Sequence, residues 1–387
     1  MEKPAPKASF QNLFAHPCIS KFNKYSQAVL GNINTCHTPK KGYHLYKCNN
    51  VSCNESKYQY HCCGNRHCPF CGSMKREEWV ENRMNELLPT SYYHMVFTLP
   101  HELNSLILGN RKLLFNTLFE SVTETILNHG KNEEFLGAEP GITMVLHTWG
   151  QDMSFHPHIH CIVSGGGFDG SNWKPAKRKN NRFLFPEKSL KKMYKAIMMK
   201  ALEQNEQIKW EGICKAGVLK SISYKTWNVY AKAPFGGPAQ VIEYLGRYTH
   251  KIAITKHRIE ELTEKQIKFR YKDYADCNKV KSMWLCYEEF LRRFELHILP
   301  KRFVKIRHSG FLKNRDKHKR INAIRASIGL GEAPSKVTVP IAIRMLEKYG
   351  TDISICTCCK TGTLILLLDT KAKRIEKQKP FPKVESS

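Results

Sequence analysis

The chain has 387 residues, with 62 Lys and Arg against 34 Asp and Glu, and its formal net charge is +28 at pH 7. A surplus of this size favours a polyanionic partner, and nucleic acid is expected ahead of an anionic membrane surface. No segment approaches the roughly 18 consecutive apolar residues that span a bilayer. The first residues also lack the apolar run and cleavage site of a secretion signal, so a reducing cytosol is the expected compartment.

Seven of the fifteen cysteines lie between residues 36 and 71, together with four histidines. In a reducing compartment, clustered Cys and His favour metal binding over disulfides. Two tetrahedral sites for structural zinc can be drawn from this segment, the second with looser spacing, so one or two ions are predicted. The first set is Cys63, His67, Cys68 and Cys71, and the second set is Cys36, His44, Cys48 and Cys53.

The following elements alternate between helix and strand. Residues Met74 to Leu88 are predicted to form a helix that ends before Pro89, and Tyr92 to Pro100 a strand. Residues 102–129 carry a helical pattern, and Gly141 to Trp149 is predicted as the next strand. This alternation indicates an α+β or α/β sheet domain that begins near residue 90.

A pair of histidines, His158 and His160, flanks Ile159 within an apolar run that continues to Val163. Residues two apart in a strand share one face, so the two imidazoles would lie side by side while Ile159 enters the core. Two neutral imidazoles on one strand supply much of a divalent-metal site.

Basic residues are concentrated in two later stretches. Residues 171–195 contain nine Lys or Arg and one acid, and residues 292–325 contain twelve against two. A charge run is often only a solvated face, but the first stretch is interleaved with aromatic residues, a combination that suits single-stranded nucleic acid. The candidate DNA-binding residues are Lys177, Arg178, Arg182, Arg247, Arg302 and Arg307. Between the two stretches, residues 191–204 are predicted to be helical and Tyr224 to Tyr230 to form a strand.

Two tyrosines lie four residues apart in a predicted helix over residues 239–250. Helical spacing places Tyr244 and Tyr248 on one face, where both phenols could reach one point. A phenolate beside a divalent cation is a competent nucleophile towards phosphorus. Paired tyrosines are more often ordinary packing, so this interpretation depends on the histidine pair and the charge.

Taken together, these motifs resemble the rolling-circle HUH transposases of the two-tyrosine insertion-sequence-91 class, which have an N-terminal zinc-binding domain. The resemblance extends in order over about residues 30–315. The stretches that carry it are Cys63–Pro69, Val96–Pro100, His156–His160, Tyr244–Tyr248, Glu289–Phe294 and Leu299–Phe303.

The resemblance implies an α+β fold in which a small zinc-binding domain precedes an HUH nuclease domain. It implies that His158 and His160 bind Mg²⁺ or Mn²⁺, and that Tyr244 and Tyr248 nick and rejoin single-stranded DNA at element ends through 5′-phosphotyrosine links. The implied partners are DNA at the transposon ends and target DNA, in the bacterial cytoplasm and associated with the nucleoid. A homodimer is compatible with the sequence.

The third metal ligand is left open between two glutamines. Gln151 precedes His158 by seven residues, and Gln240 lies one turn before Tyr244; Gln151 is preferred. His156 shares the strand face and is a candidate donor to the ligands.

The sequence divides into a zinc-binding domain at 1–90, a nuclease domain at 91–305, a basic region at 306–369 and a tail at 370–387. Cys356 and Cys359 in the third segment are either half of a site completed from the N-terminal cluster or metal-free. The Lys-rich, apolar-poor tail is predicted to be disordered.

Two other functions compete with this interpretation. A plasmid replication initiator or relaxase would use the same chemistry, although the preceding zinc module favours a transposase. A non-enzymatic zinc-containing DNA-binding protein would explain the charge and the cysteines but would leave the histidine and tyrosine pairs without a purpose.

Overall fold

The structure is a computed structural model that describes residues 9–177, 184–232, 252–334 and 339–370, together with Gln240 and Gly246. The chain forms two compact units. Residues 1–72 and 336–387 form one, here called the terminal unit, and residues 73–335 form the other, here called the central unit. Among the described residues, no helix combines the length and the apolar character needed to cross a bilayer.

The described α-helices are α1 (Lys24–Asn34), α2 (Ser73–Met84), α3 (Asn104–Gly109), α4 (Arg111–Lys131), α5 (Glu187–Gln204), α6 (Lys215–Ser223), α7 (Tyr287–Leu296), α8 (Lys317–Ser327) and α9 (Ile341–Tyr349). The described strands are β1 (Tyr43–Cys48), β2 (Ser56–Tyr60), β3 (Tyr92–Thr98), β4 (Glu139–Trp149), β5 (Phe155–Phe168), β6 (Trp173–Pro175), β7 (Val229–Lys232), β8 (Ile259–Leu262), β9 (Gln266–Asp273), β10 (Lys279–Cys286), β11 (Ile306–Ser309) and β12 (Leu364–Asp369).

The central unit is built on an antiparallel sheet in the order β11-β4-β5-β3-β7, with β6 paired to β5. Alternation along β5 directs Ile159, Cys161 and Val163 into one buried core, which α4 and α5 cover. His158 and His160 lie on the opposite face, as the two-residue period requires. A smaller sheet, β10-β9-β8, packs against α7 through the rings of Phe269 and Phe290.

Helix α2 lies on the histidine face of the large sheet. Its apolar side chains pack on Tyr92 and Ile162, which are buried on β3 and β5. Arg83 of α2 also donates to His308 Nε2 on β11 at 3.2 Å and forms an ion pair with Glu86. The helix is therefore fixed to the sheet by both apolar and polar contacts.

The terminal unit contains α1, α9 and a three-stranded antiparallel sheet in the order β12-β1-β2. Helix α1 begins at Asn23, whose side chain accepts the backbone N–H of Ser26 at 2.9 Å, a frequent N-cap arrangement. Helices combined with antiparallel sheets in both units confirm the predicted α+β class.

Three predicted elements differ in extent from the observed ones. The predicted helix over Met74 to Leu88 is observed as α2, which ends at Met84. The helical pattern of residues 102–129 is divided into α3 and α4, because the first helix ends at Gly109. The strand predicted to begin at Tyr224 begins at Val229, since Trp227 is buried at the end of α6 and donates its indole N–H to Ile222 O.

The two units divide the chain differently from the domains drawn on the sequence. Residues 73–90 and 306–334 belong to the central unit, where β11 pairs with β4. Residues 339–370 belong to the terminal unit, where β12 pairs with β1. These pairings join segments far apart in sequence, so local patterns do not reveal them. The tail beyond residue 370, which was predicted to be disordered, lies outside the described residues.

Candidate functional site

Three histidines converge on the face of the large sheet opposite the core that α4 and α5 cover. The Nε2 atoms of His158 and His160 lie 3.2 Å apart on β5. His147 stands opposite His158 on β4, and one ring nitrogen from each of the three residues lies within 4.8 Å of the others. His147 and His160 are buried, whereas His158 is half-buried.

Two hydrogen bonds orient the imidazoles of His158 and His160. His158 Nδ1 lies 2.7 Å from the carbonyl of His156 and donates to it, which leaves the Nε2 lone pair facing the cluster. His160 Nδ1 lies 3.0 Å from Nε2 of His94 on β3. Burial, and secondarily Lys232, lowers the pKa of His94 to about 4, so its neutral ring can accept this proton. Both ligand nitrogens are thereby turned towards one point.

The spacing fits a shared metal ion. Ligand nitrogens at about 2.1 Å from one cation, with an angle between about 90° and 110°, lie roughly 3.0 to 3.4 Å apart. The separation of 3.2 Å between His158 and His160 falls inside this interval. Three neutral imidazoles suit a first-row divalent cation better than Mg²⁺, which prefers oxygen ligands. Three protein ligands also leave coordination positions for a substrate.

The hairpin that carries the cluster is anchored at its turn by α7 and the residue after it. Arg293 donates to the carbonyl of Asp152 at 2.9 Å. His297 contacts the Met153 carbonyl at 3.1 Å through Nε2 and the Thr148 hydroxyl at 3.2 Å through Nδ1. The Glu289–Phe294 stretch of the sequence resemblance therefore includes a residue that positions the histidine hairpin.

The two glutamines considered as third ligand lie in different settings. Gln151 donates its side-chain amide to the Tyr274 hydroxyl at 3.0 Å in the exposed turn, and Gln240 is exposed. His147 contributes a third ring nitrogen to the histidine cluster, and the prediction of a glutamine ligand stays a prediction. His156 lies beside His158, with ring centroids 5.2 Å apart, and its backbone carbonyl rather than its ring orients that ligand.

The candidate nucleophiles Tyr244 and Tyr248 lie outside the described residues. Gly246, which lies between them in sequence, is described as helical and buried. A Cβ atom placed on Gly246 would lie 2.2 Å from Cγ2 of Val80 on α2, so backbone and helix are in close contact there. Because α2 covers the histidine face, Gly246 belongs to the same side of the sheet as the cluster.

The first cysteine cluster contains Cys36, Cys63, Cys68 and Cys71. The Sγ atoms of Cys63 and Cys71 lie 3.7 Å apart. Four thiolates at about 2.3 Å from one zinc ion in a tetrahedron lie about 3.8 Å apart, so this spacing fits zinc. His67 was expected in this set but is not among the four, and Cys36, from the end of α1, occupies that place. The fold brings the segment after α1 next to the segment from Cys63 to Cys71, and sequence spacing does not reveal this proximity.

The second expected set is also distributed differently. Cys48 and Cys53 meet Cys356 and Cys359 in a second four-cysteine cluster. His44 instead lies 3.4 Å from the carboxylate of Asp369, which also lies 3.4 Å from His61. Backbone N–H groups, led by that of Gly362, lower the pKa of Cys359 to about 6 and favour its thiolate.

The candidate DNA-binding residues are unequal in exposure. Lys177 is exposed and pairs with Glu133 at 3.0 Å, and Arg302 is exposed with a φ of 61°. Arg307 is half-buried, with its guanidinium 4.2 Å from the ring centroid of Phe119 and bonded to Asn116, so it is engaged within the fold. The remaining candidates, Arg178, Arg182 and Arg247, lie outside the described residues.

Two residues of the histidine site were missed in the sequence. His147 lies in the predicted strand Gly141 to Trp149, and its position could have been found by folding that strand back on β5 at the Gly150 turn. His94 lies in the strand Tyr92 to Pro100 and reaches His160 only through the β3–β5 pairing. No local signal marks His94, because its partner is 66 residues away.

Comparison with known proteins assigns the class. A family model described as "Transposase zinc-binding domain", named for IS91, matches residues 7–99, and one described as "Putative transposase" matches residues 141–320. The chain therefore belongs to the IS91-type transposases, enzymes that process DNA, and has their zinc-binding domain. This confirms the family resemblance found in the sequence.

Two curated relatives extend over most of the chain. The chain is 35% identical over 355 residues to "Putative transposase y4qJ" of Sinorhizobium fredii, covering 88% of each chain. It is 28% identical over 292 residues to the "Transposase for insertion sequence element IS801" of Pseudomonas savastanoi pv. phaseolicola, covering 72% of this chain and 68% of the relative. No solved structure matches the chain significantly.

Proposed function

We propose that this transposase is a metal-dependent HUH endonuclease and strand transferase that nicks and rejoins single-stranded DNA at element ends. The observation that carries the proposal is the pair of Nε2 atoms of His158 and His160, 3.2 Å apart and turned together by separate hydrogen bonds at Nδ1. In a metal site, such hydrogen bonds fix the ring orientation and tautomer of the ligands.

His147, His158 and His160 would hold the cation. When bound, it would polarise the phosphoryl oxygen of the scissile phosphate and favour an ionised phenol. The three-nitrogen donor set favours Mn²⁺ over Mg²⁺ at equal concentration. His94 would keep His160 in the tautomer that presents Nε2 to the cation.

The nucleophiles are Tyr244 and Tyr248. The phenolic oxygen of one tyrosine forms a bond to phosphorus and its proton passes to solvent. The bond from phosphorus to the 3′ oxygen breaks, and this leaving oxygen takes a proton from solvent. The products are a 5′-phosphotyrosine link and a free 3′-hydroxyl. Attack by a 3′-hydroxyl reverses the step without ATP, because the phosphodiester energy is retained in the covalent link. The close contact of Gly246 with Val80, whose helix packs on the histidine face, is the observation on described residues that supports this assignment.

Cys36, Cys63, Cys68 and Cys71 would hold a structural zinc ion, since all four positions of a tetrahedron are supplied by protein thiolates. Exposed basic side chains such as Lys177 and Arg302 would bind the DNA backbone, and rejoining would take place on element ends and target DNA within the rolling-circle mode of transposition.

The proposal is tested by trapping the covalent intermediate. An oligonucleotide that carries the end of the chain's own element is labelled at its 3′ terminus, so that a 5′-phosphotyrosine adduct keeps the label on a denaturing gel. Tyr244→Phe and Tyr248→Phe should each still give an adduct, whereas the double variant should give none. Mass spectrometry locates the modified residue.

Tyr230 provides a matched control, because it is an exposed tyrosine on the same sheet face, opposite Val96 on β3. Tyr230→Phe should form adduct at the wild-type level. An adduct that persists in the Tyr244/Tyr248 double variant, or that disappears in Tyr230→Phe, would overturn the assignment of the nucleophiles.

A further inference from the structure

We propose that Cys48, Cys53, Cys356 and Cys359 bind a second structural zinc ion, which joins the two ends of the chain into one folded unit. This inference is independent of the nuclease chemistry proposed above. The two C-terminal cysteines lie beyond both matched segments, 7–99 and 141–320, so the family models do not account for them.

The spacing of the four sulfur atoms is that of a metal site. Cys48 Sγ lies 3.7 Å from Cys359 Sγ, and Cys53 Sγ lies 3.8 Å from Cys356 Sγ. Both distances agree with the edge of about 3.8 Å expected for thiolates around tetrahedral zinc. A disulfide would bring two sulfurs to about 2.05 Å. All four atoms lie within 4.8 Å of one another, so no pair stands apart as a bridge.

Backbone geometry is adapted to these sulfurs. The N–H of Asn50 donates to Cys48 Sγ at 3.4 Å, and the N–H of Gly362 donates to Cys359 Sγ at 3.2 Å. In the first cluster, Phe70 N donates to Cys68 Sγ at 3.4 Å in the same way. N–H donors of this kind stabilise thiolates, the form that binds metal.

Gly362 is a second adaptation of the backbone. A Cβ atom at this position would lie 2.4 Å from Cys48 Sγ and 2.9 Å from Cβ of Asn50. Only glycine at this position therefore lets the loop that follows Cys359 approach the loop that follows Cys48 so closely. The two halves of the site are fitted to each other across more than three hundred residues of sequence.

Among the described residues, the apolar core around the cluster is small. Its buried members are Cys48, Cys356 and Leu364, and Tyr46, Cys53 and Cys359 pack against them. Small cores of this kind depend on metals or disulfides for stability. The zinc ion would thus supply the free energy that docks β12 on β1 and places residues 339–370 in the terminal unit.

Differential alkylation of the wild-type protein tests the proposal without any variant. Iodoacetamide is applied to native protein, to protein treated with a reductant and to protein treated with a strong chelator, and modified cysteines are located by mass spectrometry. Cys48, Cys53, Cys356 and Cys359 should be protected with and without reductant and should react after chelation. Cys358 is exposed and adjacent to Cys359, so it should react in every sample.

Two results would overturn the proposal. Cys356 and Cys359 could react as fast as Cys358 in the native protein, which would mean that no metal covers them. Protection could instead be removed by reductant alone, which would indicate a disulfide.

Metal content gives an independent measurement. The wild-type protein should contain two zinc ions per chain, and the Cys356→Ser/Cys359→Ser variant should contain one. Cys358→Ser should retain two. Two zinc ions in the double variant would refute the site, and so would a single zinc ion in wild-type protein whose first cluster is fully protected.

Discussion

The cysteine clusters of the terminal unit and the histidine cluster of the central unit differ in the ligands that they could offer a metal ion. Each cysteine cluster assembles four thiols with tetrahedral spacing, and Cys36 and Cys356 are fully buried. The histidine cluster assembles three neutral nitrogens, and His158 is half-buried. Four protein ligands close a coordination sphere, whereas three leave it open to a substrate. Under the proposed function, the number of ligands thus distinguishes a structural metal site from a site that acts on DNA.

The largest effect on folding is expected when one ligand is removed from a four-cysteine cluster. Cys68→Ser removes a buried thiolate from the first cluster and should release one zinc ion and unfold the terminal unit, because structural zinc contributes its binding free energy to folding. Zinc content and limited proteolysis measure both effects. Cys62→Ser is the control, since Cys62 is exposed, adjacent to Cys63 and outside the cluster. A folded Cys68→Ser protein with full zinc content would contradict the assignment.

A substitution in the histidine cluster should greatly reduce nicking activity and leave the protein folded. His147→Ala should lower nicking by about a thousandfold, the rate equivalent of several kcal/mol of lost electrostatic stabilisation, while zinc content stays unchanged. Gln151→Ala should retain nearly full nicking, because the Gln151 side chain is bonded to Tyr274. If Gln151→Ala loses more nicking activity than His147→Ala in a single-turnover assay, Gln151 rather than His147 is the third ligand.

These two variants also mark the limit of what sequence reasoning could establish. The histidine pair, the strand that carries it and the N-terminal cysteines were found from local spacing, because residues two or three apart have fixed geometry. His147, Cys356 and Cys359 join their partners through strand pairing between segments that are distant in sequence. For this reason, the place of His147 in the cluster and the boundaries of the units could not be predicted. Cys356 and Cys359 could only be left open between half of a site completed from the N-terminal cluster and a metal-free state.

A smaller effect is expected at His94, which contacts a ligand rather than the cation. His94→Ala removes the acceptor for His160 Nδ1 and should reduce metal affinity or nicking rate by about 10- to 100-fold. His94→Gln offers an acceptor oxygen at a similar distance and should recover part of the loss, mainly as a lower Mn²⁺ concentration for half-maximal nicking. Equal defects in both variants, with unchanged metal dependence, would mean that His94 only fills space.

The smallest effect concerns pH and the central unit away from its metal site. Burial, followed by Arg83 and Lys317, lowers the pKa of His308 from 6.5 to about 3. In the unfolded chain His308 therefore binds a proton below pH 6.5, whereas in the folded chain it does so only below about pH 3. The free energy of unfolding is therefore highest above pH 6.5 and decreases as the pH falls below that value. At pH 5.5 the loss is about 1 kcal/mol relative to pH 7.

His308→Gln removes this titration and should show a flatter pH dependence of the unfolding midpoint between pH 7 and 5.5. The comparison uses denaturant unfolding monitored in the same buffers for both proteins, so that other titrating groups cancel. Parallel pH profiles would show that the pKa of His308 is the same in the folded and unfolded chains, which would contradict the expected lowering.

The contrast between closed and open sites is tested most directly by removing and restoring metal in one sample. The protein is treated briefly with EDTA, assayed for nicking of single-stranded DNA, and assayed again after addition of Mn²⁺ or Mg²⁺, with zinc measured at each stage. We expect nicking to disappear and then return, more strongly with Mn²⁺, while both zinc ions remain bound throughout. Nicking that survives EDTA, or that returns only when lost zinc is replaced, would contradict the account.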